Sequence, residues 1–80
     1  MDTTILAFGI VKDIVNGTSI ELPLQNDITI AAFKNKLETI YPELKKLKSY
    51  FIAVNNEYAD DNYVLQDKDE IAIIPPVSGG

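Results

Sequence analysis

Ile30, Phe33, Leu37, Ile40 and Tyr41 recur at helical spacing, and the run stops at Pro42. Apolar residues three and four apart share one face, so this stretch reads as an amphipathic helix with its stripe turned to a core. Thr29 or Asp27 supplies the N-cap, because a short side-chain oxygen there can accept from a free N–H of the first turn. Pro42 closes the helix by pushing Tyr41 towards an extended backbone. Short β-prone runs fill most of the rest of the chain. The helix stripe is therefore expected to pack on one face of a sheet.

Thr4–Phe8 is apolar and β-prone and reads as the first strand. Gly9 to Val15 is expected to bend, with a helical turn as one way to do so. Asn16-Gly17 is a turn signal. Thr18–Leu24 alternates polar and apolar residues, as a half-buried strand does, and Pro23 places it at an edge or at the strand's end. After the helix, Lys45, Lys46 and Lys48 share a connector with Leu44 and Leu47. A solvated loop explains this cluster more simply than a patch for an acidic partner. Tyr50–Val54 is a third strand. Asn55-Asn56 can supply the positive φ of a tight turn into a short fourth strand, Glu57-Tyr58-Ala59. Gln66–Asp69 is a turn, and Glu70–Ile74 is the last strand. The first and last strands are apolar on both faces, which predicts a place in the buried middle of the sheet. The order is strand, strand, helix, strand, short strand, strand, an α+β arrangement.

Composition removes whole classes of chemistry. The 80 residues contain no cysteine and no histidine. The commonest general base, the commonest metal ligand and the thiolate nucleophile are all missing. All seven positive charges are lysines, and the net charge is −5. Nucleic acid is not an expected partner, since binding it needs a basic field. No apolar run approaches the roughly 18–20 residues of a membrane span, so no membrane partner is expected either, and a cytoplasmic location is. Asp60-Asp61 and Asp67-Lys68-Asp69-Glu70 lack the glycine and distal glutamate of a calcium loop and read as solvated turns, with no metal site.

Residues 1–74 are expected to form one domain, and 75–80 an extended tail. Pro75-Pro76 stiffens the chain and removes two backbone donors, so sheet pairing stops there. Val77-Ser78-Gly79-Gly80 follows, with Gly80 expected to carry a free carboxylate. Two residues without a Cβ make an end slim enough for another protein's groove to close on its backbone. At 3.1–3.4 Å per residue, Pro75 to Gly80 could reach about 20 Å from the body.

Three stretches carry a family resemblance: Phe8-Gly9-Ile10-Val11-Lys12-Asp13-Ile14-Val15-Asn16-Gly17, then Val54-Asn55-Asn56-Glu57, then Leu65 through Ile74 to Pro75-Pro76-Val77-Ser78-Gly79-Gly80. With them the chain resembles the small, sulfur-carrying subunits of molybdopterin synthase, within the ubiquitin-like β-grasp proteins. The resemblance runs the length of the chain. It departs from the family pattern at Lys12, where arginine is usual and the bidentate fork is lost. It departs again at Lys68, where glycine is frequent, and at Ile74, where an aromatic is common. The fold this implies is an α+β ubiquitin-like β-grasp, with a mixed sheet of about five strands on one main helix and a flexible Gly-Gly tail.

The resemblance also implies a mechanism. A terminal carboxylate with a pKa near ~3.5 is an unreactive anion at neutral pH and must be activated. An adenylating enzyme similar to ubiquitin-activating enzymes would consume ATP and form an acyl-adenylate on Gly80. A sulfur donor would then leave a thiocarboxylate. No permanently bound cofactor is implied. The tail, with Gly79, Ser78, Val77, Pro76 and Pro75 as threading contacts, would enter the large subunit of the synthase and give sulfur to cyclic pyranopterin monophosphate. The large subunit would hold the catalytic residues, so the carrier is not an enzyme on its own. Phe8, Tyr58, Ile74 and Lys12 map onto partner-facing positions. Assembly around a central dimer of large subunits is also implied. Two other roles share the Gly-Gly end: a ubiquitin-like modifier conjugated to lysines, and a sulfur carrier for thiamine, thionucleoside or cysteine synthesis.

Overall fold

A computed structural model describes residues 1–47 and 49–76. Its elements are β1 (Asp2–Ala7), α1 (Val11–Val15), β2 (Ser19–Pro23), α2 (Ile30–Ile40), a 3₁₀ turn (Pro42–Lys46), β3 (Phe51–Val54), β4 (Glu57–Tyr58) and β5 (Ile71–Ile74). The five strands form one mixed sheet in the order β2-β1-β5-β3-β4. β1 and β5 run parallel, and the other neighbours are antiparallel.

α2 forms where the apolar period predicts it. Thr29 is the cap: its backbone is extended and its Oγ1 accepts from Ala32 N–H at 3.2 Å. Asp27 instead takes a left-handed φ of 62° in the preceding turn. Ile30, Phe33 and Leu37 are buried against the sheet, and Tyr41 packs on the core's margin. Ile40 departs from expectation and is exposed. Past Pro42 the chain tightens into the 3₁₀ turn, and Leu44 there is fully buried, so the core is completed by Leu44 rather than Ile40.

The turns follow their residue chemistry. Asn55 and Asn56 both have positive φ, 53° and 69°, and join β3 to β4 by a tight turn. Asn16, at φ 62°, ends α1 instead of closing a hairpin, and the Gly17 N–H donates back to the Lys12 carbonyl at 3.0 Å. β1 begins two residues earlier than expected and stops at Ala7, because Gly9 turns the chain at φ 55°.

β1 and β5 take the expected place in the middle of the sheet, with one face of each turned to the helix and the other left open. β1 alternates strictly, with Thr3, Ile5 and Ala7 inward and Asp2, Thr4 and Leu6 exposed. The reason is the number of layers. One main helix can cover one face, so the apolar residues of the other face stay in the open.

Candidate functional site

β5 is the strand from which the expected tail would leave, and its alternation sorts two surfaces. Ile71 and Ile73 are fully buried on the helix side, while Ala72 and Ile74 are half-buried on the opposite face. Sheet register then gathers their neighbours. Leu6 stands beside Ala72 on β1, Ala53 beside it on β3, and Phe51 beside Ile74. Tyr58 lies across from Ala53. Leu6, Phe8, Ala53, Tyr58, Ala72 and Ile74 thereby line a shallow apolar groove of about 240 Å³. The Phe51 and Tyr58 rings stack along its rim, with centroids 5.0 Å apart and planes 13° from parallel. Phe8 is 44% exposed and Tyr58 65%. This grouping of exposed apolar side chains makes the face the candidate docking surface.

The predicted partner-facing residues Phe8, Tyr58 and Ile74 thus meet in one groove. Lys12 does not join them; it is exposed on α1 and is not part of the groove lining. Phe51 and Leu6 belong to this face without having been singled out from the sequence. The signal was present, since Leu6 lies two residues before Phe8 and so shares its side of the strand. Pro75 and Pro76, which follow Ile74, are half-buried. Val77, Ser78, Gly79 and Gly80 lie outside the described residues.

The acidic turns are occupied with structural work. Asp69 accepts from Gln66 N–H (2.8 Å), Asn55 Nδ2 (2.9 Å) and Tyr63 OH (2.9 Å). Partial burial works to raise its pKa, but the three donors outweigh it and hold the carboxyl below its usual range. Asn55 also accepts from Glu70 N–H at 3.0 Å, tying the β3–β4 turn to the start of β5. Asp61 pairs with Lys34 at 3.0 Å. Among the described residues, no cluster of three or more acidic side chains is placed to hold a metal ion. Burial, with a hydrogen bond to Glu38, raises the Tyr50 phenol well above its usual range. No helix among the described residues is long and apolar enough to cross a membrane.

The ThiS family pattern matches residues 5–80. The chain belongs to the ThiS family. Within it, the molybdopterin synthase sulfur carrier subunit of Dictyostelium discoideum is 42% identical, over 95% of this chain and 93% of that protein. The crystal structure of SAMP1 from Haloferax volcanii superposes with a TM-score of 0.81 at 20% identity, covering both chains fully, and shares the fold. A chain in the protein–protein complex of subunits 1 and 2 of the Helicobacter pylori molybdopterin-converting factor matches with a TM-score of 0.70 at 25% identity, again over both full lengths. The α+β ubiquitin-like β-grasp expected from the sequence, a mixed five-stranded sheet on one main helix, is the fold of this ThiS-family chain.

Proposed function

We propose that this chain is the sulfur carrier subunit of a molybdopterin synthase, in which residues 75–80 form a tail and the carboxyl group of Gly80 carries the sulfur. The observation that supports this best is placement. β5 forms part of the apolar groove and also leads into the tail, so a protein seated on Phe8, Tyr58 and Ile74 lies where the tail begins. Kinship with a sulfur carrier subunit along nearly the whole chain points the same way.

The chemistry follows from what the chain lacks. Without cysteine or histidine, no side chain offers a sulfur nucleophile or an imidazole base. In the proposed carrier, as its kinship with sulfur carrier subunits implies, the reactive atom is on the main chain. A Gly80 carboxylate oxygen attacks the α-phosphorus of ATP on an adenylating enzyme, and pyrophosphate leaves. Sulfur at the sulfide level attacks the acyl carbon, AMP leaves, and a thiocarboxylate remains. Its sulfur passes to cyclic pyranopterin monophosphate in the large subunit, water returns the carboxylate, and two such deliveries build the dithiolene. Adenylating enzyme and large subunit use the same groove, so they bind in turn rather than together. The carrier supplies a docking face and a slim reactive end, while acid–base catalysis belongs to its partner in the cytoplasm.

The missing cysteine gives a direct test. The protein is incubated with adenylating enzyme, ATP and a sulfide source, treated with a thiol alkylating agent and mapped by mass spectrometry. An adduct on the peptide ending at Gly80 is the expected result. A chain that stays unmodified, or that instead appears in an isopeptide bond to lysine, would overturn the proposal.

A further inference from the structure

Gly9 occupies the loop between β1 and α1, at φ 55°. Side chains other than Asn, Asp and Gly rarely adopt this conformation. A second feature of the same residue is independent of the first. A Cβ on Gly9 would stand 2.8 Å from Cγ of Pro75, closer than two carbons tolerate, and Cγ belongs to a ring that cannot swing aside. The parallel register produces this contact. Ala7 pairs with Ile73, and two residues beyond that last pair, past the ends of both strands, stand Gly9 and Pro75. Proline has no N–H to continue the ladder, so the chain is held there by packing of the ring.

We infer that Gly9 is a positioning residue: its bare Cα seats the Pro75 ring and so fixes the direction in which residues 76–80 leave the docking groove. The inference rests on the carrier function proposed above. Its weight comes from leverage. Extended at 3.1 Å per residue, the six residues from Pro75 to Gly80 would reach about 19 Å, and Pro76 stiffens the first step. A tilt of about 10° at Pro75 displaces the reactive end by about 3 Å. Group transfer is sensitive to misplacement of about 1 Å. The partner holds the groove and the tail at once, so a misdirected root sets one against the other.

The test is single-turnover sulfur transfer from thiocarboxylated protein to cyclic pyranopterin monophosphate in the large subunit. The proteins are wild type, G9A, G9N, P75A and the double variant G9A/P75A. Asn tolerates positive φ, as Asn16, Asn55 and Asn56 show, so G9N keeps the turn while still crowding Pro75. G9A and G9N are expected to slow transfer about 10- to 100-fold, with carrier KM changed less than about threefold because the groove is intact. Removing the ring should return part of the loss, so that G9A/P75A is faster than the product of the single effects. Transfer at the wild-type rate by both Gly9 variants would overturn the inference, as would strict multiplicativity in the double variant. Failure of the wild type to transfer sulfur would sink the carrier function instead. The seat is then decided by the nuclear Overhauser effect between Gly9 Hα and Pro75 Hγ, whose absence overturns it.

Discussion

Asp69 shows how a single half-buried side chain can organise two turns. Its carboxylate gathers donors from its own turn, from the β3–β4 turn and from Tyr63. Hydrogen bonds to a charged acceptor are about twice as strong as neutral ones. The site is open to water, so the net effect sits at the low end of that scale. Asp69→Asn is expected to lower stability at neutral pH by about 1 kcal/mol. The sign with pH follows from the depressed carboxyl. Its contribution is complete above the unfolded-state pKa and fades as pH falls through the folded value. Urea midpoints measured at neutral and acid pH should therefore converge for wild type and variant on acidification. Parallel lines across that range would show that the carboxylate's charge contributes nothing. In the sequence this residue is one of several clustered acids, and a solvated turn was the expectation. The turn is there, but the donors that make Asp69 its centre come from residues 3, 6 and 14 positions away, which no local pattern displays.

At the scale of elements, α2 carries the core, and three acceptors hold its first turn: the Tyr63 and Asp61 carbonyls take the Ile30 and Ala31 N–H groups, and the Thr29 hydroxyl takes that of Ala32. Thr29→Ala removes the acceptor for Ala32 N–H, and the expected cost is about 1 kcal/mol, read from chemical denaturation. An unchanged midpoint would mean that water serves the first turn as well. α2 was legible because a 3.6-residue period, a capping residue and a proline stop all agree on it. The Asn55-Asn56 turn was legible for a similar reason, since few residue pairs take positive φ twice. Ile40 was not. Period alone assigns it to the stripe, and only the 3₁₀ turn that buries Leu44 shows that the place was filled. The strands' two-sided apolar character was visible too, and with one main helix it meant one apolar face left open; what covers that face was not visible. An apolar outer face looks the same in a sequence whether a second layer or a partner covers it.

For the molecule as a whole, that uncovered face is the main consequence of building 80 residues around one main helix. On the proposed function, folding and docking draw on opposite sides of the same sheet and can be tested apart. Tyr58, mostly exposed, is expected to lose only about 1 kcal/mol of stability in Tyr58→Asp, the cost of its stack on Phe51. The same change should weaken binding to the large subunit by about 2 kcal/mol or more, a factor of about 30, by calorimetric titration. Equal affinity would place the partner elsewhere. Phe8, Tyr58 and Ile74 were legible as a set only through family resemblance; Leu6 and Phe51 join them through register, which depends on how distant strands pair. The order of the strands has a mechanical outcome as well. β5 lies at the centre of the sheet, bonded to β1 on one side and β3 on the other. Those bonds run across the strand, so a pull along its axis loads them together in shear, whereas an edge hairpin would unzip one bond at a time. A protein that grips the far end can draw the chain taut, and the anchor resists as one ladder.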